Sequence, residues 1–305
     1  MATTYNSAFD ALNVRDLVEN PSTIREYIEG SLQGAFLEEA VFTNAGPTTS
    51  SRIPYYETMP ARLADKAEKV AEYAEIPTSE LIRGEEKIAR AEKLGQGVRI
   101  SREMIIQNST ELLQSQITAL QNEIIAGSAN QLTEAIEEAN VNTIASAKPW
   151  SEQDATPVRD IIGARTLVSS AAYDGHKFGF NADSLVISQA ALDNLLLSDD
   201  AQRFYIGNVA NENPIYRGTQ PARFNGLSIH VSSFIPDDTA YVLQSGVAGF
   251  YRDFIPFGTS DLYAENGDNG KGGSNQSFRI DADRSRAIAV NAPKAITKIT
   301  GIMEV

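Results

Sequence analysis

The feature that most constrains the fold is a long helical pattern over residues 98–138. Ser101 is a favourable N-cap, and Glu103 follows in the first turn, where a carboxylate complements the helix dipole. Four apolar side chains at helical spacing define its central stripe: Leu113, Ile117, Leu120 and Ile124. A continuous helix here would cover about 38 residues and roughly 57 Å, against an ordinary length of ~11–12 residues. We therefore predict a spine helix that lies across a sheet and bends at Gly127.

Composition excludes several classes of protein. The 305 residues carry a net charge of −14, with acids and bases interspersed, so the chain lacks the basic surface that general nucleic-acid binding requires. There is no cysteine, which excludes disulfides, thiolate metal sites and cysteine catalysis. No apolar run approaches the ~18 residues of a membrane span, and the first residues have neither the basic nor the apolar region of a secretory signal.

The first 40 or so residues are predicted to form an N-terminal arm, a segment of short helices outside the main core. Val14, Leu17 and Val18 share one face of a possible short helix, and a second helix follows Ser22 with Gly30 as its stop. Short helices of this kind need a partner to bury their apolar face. The arm is therefore either a frayed terminus or a segment that docks on another subunit.

Residues 47–100 read as a long hairpin with few large apolar side chains. A strand containing Pro54, hence an edge strand, leads out, and a strand over residues 88–100 returns. The hairpin is either a solvated charged loop or an extension that pairs with a neighbouring chain, where interspersed charges set register. The candidate inter-subunit residues are the charged ones: Lys66, Lys69, Glu72, Glu75, Arg83, Lys87 and Arg90.

The part of the chain after the spine helix is predicted to form first an α/β unit and then a series of strands. Thr156 followed by Pro157 predicts a helix start, and Ser188 is a second N-cap after a short buried strand over residues 184–187. From Gly226 onward, alternation predicts strands that return to pack on the spine helix.

Residues with catalytic or ligand-binding chemistry are sparse. The two histidines, His176 and His230, stand in different contexts, and the Gly-rich loop near residue 270 lacks the P-loop spacing. Asp253, Asp281 and Asp283 could meet in a sheet, but they lack the loop spacing of a calcium site. We assign no catalytic, cofactor-binding or metal residues and predict that the chain is not an enzyme.

Four short motifs, in this order along the chain, resemble the major capsid proteins of tailed phages. They are EYAEIP at residues 72–77, KLGQGVRISREMI at 93–105, NADSLVI at 181–187 and NAPKA at 291–295. The fold of that family is named for phage Hong Kong 97, and encapsulin shells share it. The resemblance covers nearly the whole chain.

The resemblance implies an α+β, Hong Kong 97-like capsid fold in five parts. They are an N-terminal arm (1–45), an extended loop (46–100), the spine helix of a peripheral domain (101–149), an axial domain (150–235) and return strands of the peripheral domain (236–305). In that family the extended loop lies over an adjacent subunit, and the axial domain gathers around the five-fold and six-fold axes.

The resemblance also implies the partners. It predicts a homo-oligomer of hexamers and pentamers that forms an icosahedral shell, assembled in the host cytoplasm and found in the virion. The shell would enclose double-stranded DNA without sequence-specific binding and without a membrane. Because the arm begins near Met1, we expect no large cleaved segment and a separate scaffold protein, with a portal and possible decoration proteins. An encapsulin-type compartment and, from another class, a soluble α/β enzyme are the alternatives.

Overall fold

The computed structural model describes residues 22–63, 65, 67–206, 222–267 and 271–303. The chain mixes helices and strands. The helices are α1 (Ser22–Leu32), α2 (Leu37–Val41), α3 (Arg102–Ile106), α4 (Thr110–Glu138), α5 (Pro157–Ser170), α6 (Gln189–Leu197) and α7 (Asp199–Ile206). The strands are β1 (Thr43–Asn44), β2 (Arg52–Tyr56), β3 (Glu86–Arg90), β4 (Glu92–Ser101), β5 (Asn142–Ala145), β6 (Ala172–Tyr173), β7 (His176–Lys177), β8 (Ser184–Ile187), β9 (Arg223–Phe224), β10 (Leu227–Val231), β11 (Thr239–Leu243), β12 (Phe250–Thr259), β13 (Tyr263–Ala264), β14 (Ser277–Ala289) and β15 (Ile296–Thr300).

The spine helix is α4, 29 residues long, and it is shorter than predicted. Residues 98–101 belong to β4, and Ser101 caps the short helix α3 by accepting a hydrogen bond from the Met104 amide at 3.2 Å. The helical conformation is then interrupted at Asn108, because its φ of 50° is left-handed and does not fit a right-handed helix. The prediction of one helix from Ser101 was therefore wrong, because the break falls before Thr110.

The helix does not break at Gly127, which lies inside the continuous α4. A Cβ at this position would lie 2.6 Å from Leu94 Cδ1, so the glycine allows β4 to approach the helix closely. The residue serves packing between two elements.

The central sheet is built around β14. Strand β4 pairs with it antiparallel over ten residue pairs, from Ser277 opposite Ser101 to Arg286 opposite Glu92. On its other side β14 pairs with β12 and β13, and β1 lies beside β12. The sheet presents alternate residues of β14 to the spine helix, including Ile280 and Ala282.

The second sheet has the strand order β5-β15-β11-β8-β10-β9. Helix α5 packs on it through Ile161 and Val168, which are fully buried with Leu185 and Val242 of the sheet. Strands β11 and β15, from the predicted return strands, pair with each other, and β11 also pairs with β8 of the predicted axial part. The predicted return strands thus contact the spine helix from two sheets: β14 of the central sheet packs on its first half, whereas β11 and β15 belong to the second sheet and contact its second half.

Helix α4 joins the two sheets. Its first half is buried with α1, β4 and β14, and its second half places Leu132 and Ile136 in a core shared with Tyr241, Leu243 and Ile296. Because one rigid helix lines both cores, a change in its stripe is transmitted to both sheets.

The described part of the arm packs on its own chain. Ile24 and Ile28 of α1 are fully buried beside α4, and α1 continues through Gly30 to Leu32, which is also buried. Residues 22–44 are therefore not a frayed end, whereas docking of the arm on another subunit stays a prediction. The predicted face of Val14, Leu17 and Val18 lies outside the described residues.

The extended loop has two return strands, where one was predicted. Strand β3 pairs with β2, and after Ala91 the chain enters β4, which pairs with β14. The first return strand, β3, therefore closes a small hairpin with β2, whereas the second, β4, joins the central sheet.

Candidate inter-subunit site

The distal loop, which we define as residues 57–85, has almost no regular structure. Its limbs meet in an isolated bridge between Leu63 and Leu81. Large apolar side chains along it lie in solvent: Tyr73 is 98% exposed and Ile76 is 76% exposed. Exposed apolar groups that cluster in this way mark an interaction surface.

The base of the loop is held firmly. Ile53 and Ala89 are buried against Ala287 and Ala289 of β14, and the Tyr55 ring meets the Phe250 ring edge-on at 5.5 Å. The Thr58 amide also donates to the Asn291 carbonyl at 2.7 Å. A fixed base and an uncovered distal part make the loop a projection from the central sheet.

The predicted inter-subunit charges occupy different positions on this projection. Lys87 pairs with Glu57 at 2.9 Å within the hairpin, and the hydrogen bond to Glu57 raises the pKa of Lys87. Five others are exposed, and within the described part of the chain no ion pair engages them: Lys69, Glu72, Glu75, Arg83 and Arg90. Lys66 lies outside the described residues.

The four predicted spine residues form a buried stripe that supports this surface. Leu113, Ile117, Leu120 and Ile124 are each 1% exposed. They pack with Ile24 and Ile28 of α1 and with Ile100 and Ile280 of the central sheet. Burying a side chain of this size contributes about 1.5–3 kcal/mol, so the stripe stabilises the platform beneath the loop.

A buried charge cluster ties the arm to this platform, and sequence reasoning missed it. The cluster comprises Glu38 with its two arginine partners, Arg284 and Arg286, together with Asp253 and Ser128. The Glu38 carboxylate lies 2.8 Å from Arg284 Nη1 and 2.9 Å from Arg286 Nη1, and it accepts from the Ser128 hydroxyl. Glu38 and Arg284 have side chains that are 0% exposed.

The two arginines differ in their electrostatic surroundings. Burial lowers the pKa of Arg284, and its guanidinium stacks 4.4 Å above the Phe36 ring. Burial also opposes the charge of Arg286, but its hydrogen bond to Asp253 and the attraction of Glu38 outweigh burial and raise its pKa. The surroundings therefore favour the charged form of Arg286 more strongly than that of Arg284.

Strand alternation was the signal that could have revealed the cluster. Along β14, Ile280, Ala282, Arg284 and Arg286 are all buried, so the arginines share the inward face. Asp281 and Asp283, on the other face, pair with Arg279 and Lys93. Asp253 instead pairs with Arg286 at 2.6 Å, so the three aspartates do not meet.

The histidines lie apart. His176 Nε2 is 3.4 Å from Arg62 Nη1, and His230 is half-buried in β10, where burial lowers its pKa. Across the described ranges, no three carboxylate or histidine groups converge as a metal site would require. Of the helices that the structure describes, none has the length and hydrophobicity to cross a bilayer.

Comparison with solved structures gives relatives of low sequence identity. A virus-like particle from Pyrococcus furiosus matches with a TM-score of 0.59 and 11% identity, covering 91% of this chain and 98% of the other. Mycobacterium phage Bobi matches with a TM-score of 0.56 and 14% identity, covering 85% and 88%. Mycobacterium phage Adephagia matches with a TM-score of 0.55 and 17% identity, covering 87% and 88%. At these identities the likeness concerns the fold.

No curated protein sequence matches the chain significantly. The sequence model of a family described as phage capsid protein matches residues 84–299, which is more than half of the chain. That range contains the second limb of the extended loop, the spine helix and most of both sheets. The chain belongs to the phage capsid protein family.

Proposed function

We propose that this chain is the major capsid protein of a tailed phage and adopts the Hong Kong 97-type fold. It assembles as hexamers and pentamers into an icosahedral shell around double-stranded DNA. The shell forms in the host cytoplasm with the help of a separate scaffold protein, and it carries a portal and possible decoration proteins in the virion. The chain acts as a structural protein and not as an enzyme.

The observation that carries this proposal is the distal loop. Its side chain Tyr73 is almost fully exposed and Ile76 is largely exposed, whereas the base of the same loop is packed on β14. A loop without a core of its own gains one when a neighbouring subunit covers it. Apolar burial at such a contact contributes about 25 cal/mol per Å² of area removed from water.

The domain roles follow with the boundaries amended. The extended loop (46–100) contacts a neighbour. The spine helix and the central sheet form the peripheral part. The axial part (150–235) is built on the second sheet, which β11 and β15 join. The described part of the arm, residues 22–45, belongs with the peripheral part through α1. The five exposed charges, Lys69 to Arg90, set register at the contact.

The net charge of −14 also supports a DNA container. An acidic wall repels the phosphate backbone at short range, so packaged DNA slides without adhering. Such a wall needs no sequence-specific contact.

An experiment on the distal loop tests the proposal. Because Leu63 and Leu81 form a bridge, residues 64–80 can be replaced by Asn-Gly, which favours a two-residue hairpin turn. We expect this variant to unfold cooperatively like the wild type but to form no particles in negative-stain images. Normal particles from the variant would refute the role of the loop.

An encapsulin-type compartment is the second candidate, since a virus-like particle shares the fold. Both candidates predict loss of particles in the loop variant, so a different measurement separates them. Wild-type particles purified from the infected host should contain DNA if the chain is a phage head protein. Particles that contain an enzyme cargo and no DNA would favour the compartment.

A further inference from the structure

The root of the distal loop lies against a hairpin of its own chain. We define the root as residues 60–63 together with Leu81 and Ile82. It faces hairpin β6–β7 across an open cleft of about 410 Å³, which Tyr173, Asp174 and His176 line from the hairpin side. The loop therefore meets its own chain at a second place, besides its base on β14.

The backbone is fixed on both sides of this cleft. On the loop side, the Ile82 amide donates to the Arg62 carbonyl at 3.2 Å, which joins the two limbs of the root. On the other side, Asp174 and Gly175 form the turn between β6 and β7, with φ values of 48° and 75°. Two positive φ values are typical of a tight two-residue hairpin turn. The side chains between these two backbones therefore decide how the loop is held.

One side-chain hydrogen bond joins the two sides within the described part of the chain. Arg62 Nη1 lies 3.4 Å from His176 Nε2. A guanidinium only donates and stays protonated in proteins, so Nε2 accepts, which requires a neutral imidazole with its proton on Nδ1. Arg62 is exposed and His176 is half-buried, so solvent protons reach the pair.

Protonation of His176 would remove this acceptor. The protonated ring only donates, and it places a second positive charge beside the Arg62 guanidinium. Two unit charges ~4 Å apart repel each other enough to shift an equilibrium about fivefold even in bulk water. Histidine is the side chain that ordinarily changes charge between pH 5 and 8, so the contact is open to control by pH.

The other charged groups near His176 stand on both sides of the cleft. Asp174 lines it from the hairpin, Asp65 lines it from the loop, and Lys177 follows His176 in β7. Tyr173 is the remaining titratable group of the lining. Asp174 attracts a protonated ring without holding the loop, because both belong to the same hairpin. Asp65 is the carboxylate that competes with release, because it belongs to the loop.

We propose that Arg62 and His176 form a latch, which holds the distal loop in its projecting position and opens when His176 is protonated. The latch is a contact within one subunit. Its use in assembly rests on the proposed function: a loop held in one position is pre-organised for a neighbour and loses less conformational freedom when it docks.

The distance between two spin labels measures the latch in the unassembled protein. The chain has no cysteine of its own, so Glu80→Cys beside the root and Ser169→Cys on α5, both at exposed positions, give a specifically labelled pair. We expect one narrow distance distribution at pH 7.5. At pH 5.5 the ratio of latched to open molecules should be lower by about fivefold or more. This pH window lies above the range in which model carboxylic acids titrate, so it reports on histidine.

Three substitutions assign the response, because the sequence contains two histidines. His176→Gln keeps an acceptor for Arg62 but does not titrate, so its distance distribution should be the same at both pH values. Arg62→Met removes the donor and should give the open distribution at both. His230→Gln is the matched control and should respond to pH as the wild type does. Urea unfolding at pH 7.5 checks that each variant is folded.

The outcomes separate the latch from the proposed function. A wild-type distribution that is the same at pH 7.5 and 5.5, as would result if Asp65 replaced Arg62, would overturn the latch. Loss of the response in His230→Gln would overturn it as well, and neither result affects the assembly function. If the latch responds as expected but the wild-type protein forms no particles, the proposed function fails and the latch stands.

Discussion

The buried charge cluster allows a sharp prediction about Glu38→Gln. Glu38 is the carboxylate that lies between Arg284 and Arg286, at 2.8 Å and 2.9 Å, with both partner side chains at most 4% exposed. The amide keeps the shape of the side chain but removes its charge. Arg286 retains Asp253 and Glu39, whereas among the described residues Arg284 retains no carboxylate.

The expected loss of stability follows from this asymmetry. Removing one partner of a buried pair costs about 3–5 kcal/mol, because the remaining charge stays buried without compensation. Since whole domains are stable by about 5–15 kcal/mol, this loss is about a fifth of the total or more.

Urea unfolding of the unassembled protein measures the effect. Glu38→Gln should lower the free energy of unfolding by about 3–5 kcal/mol. Glu39→Gln is the matched control: Glu39 makes one contact to Arg286, at 2.9 Å, and its side chain is 30% exposed. That control should lose less than about 1 kcal/mol. A Glu38→Gln protein within about 1 kcal/mol of the wild type would refute the reasoning about the cluster.

Three other substitutions test separate parts of the fold. Leu120→Asp should abolish cooperative unfolding, because it buries an unpaired charge in the spine, whereas Leu112→Asp on the exposed face of the same helix should fold normally. Gly249→Ala should cost about 1–3 kcal/mol in urea unfolding, since its Cβ would lie 2.7 Å from the Ala289 carbonyl oxygen; an unchanged midpoint would contradict this packing. The pKa of His230 is lowered in the folded state, so the unfolded chain binds more protons and stability should fall as the pH drops through about 6.5 and level off below the folded-state pKa. His230→Gln should reduce that slope, and equal slopes in the two proteins would argue against it.

Local patterns accounted for the elements that depend on near neighbours. Helical spacing located the stripe of α4, and the N-caps Ser101 and Ser188 each accept the expected amide hydrogen bond. The resemblance to phage capsid proteins is confirmed at the level of the family. These features depend on residues a few positions apart, so a sequence displays them directly.

The sequence patterns did not predict the features that depend on partners far away in the sequence. Residues 98–101 were predicted to be helical, but the pairing of β4 with β14 holds residues 92–101 extended up to the start of α3. The cluster at Glu38 joins residues 248 positions apart in sequence, so no local pattern reveals that the charges meet. The assignment of β11 and β15 to the second sheet likewise follows from long-range pairing with β8 and β5.

The measurement that tests the central claim most directly is the mass in solution of the wild type and of the loop variant lacking residues 64–80. Both are co-expressed with a candidate scaffold protein and examined by light scattering and negative stain. We predict that the wild type forms icosahedral particles, or hexamers and pentamers, while the variant remains a folded monomer somewhat lighter than the 33.1 kDa wild-type chain. A wild-type protein that stays at 33.1 kDa at high concentration, with its scaffold present, would contradict the capsid function.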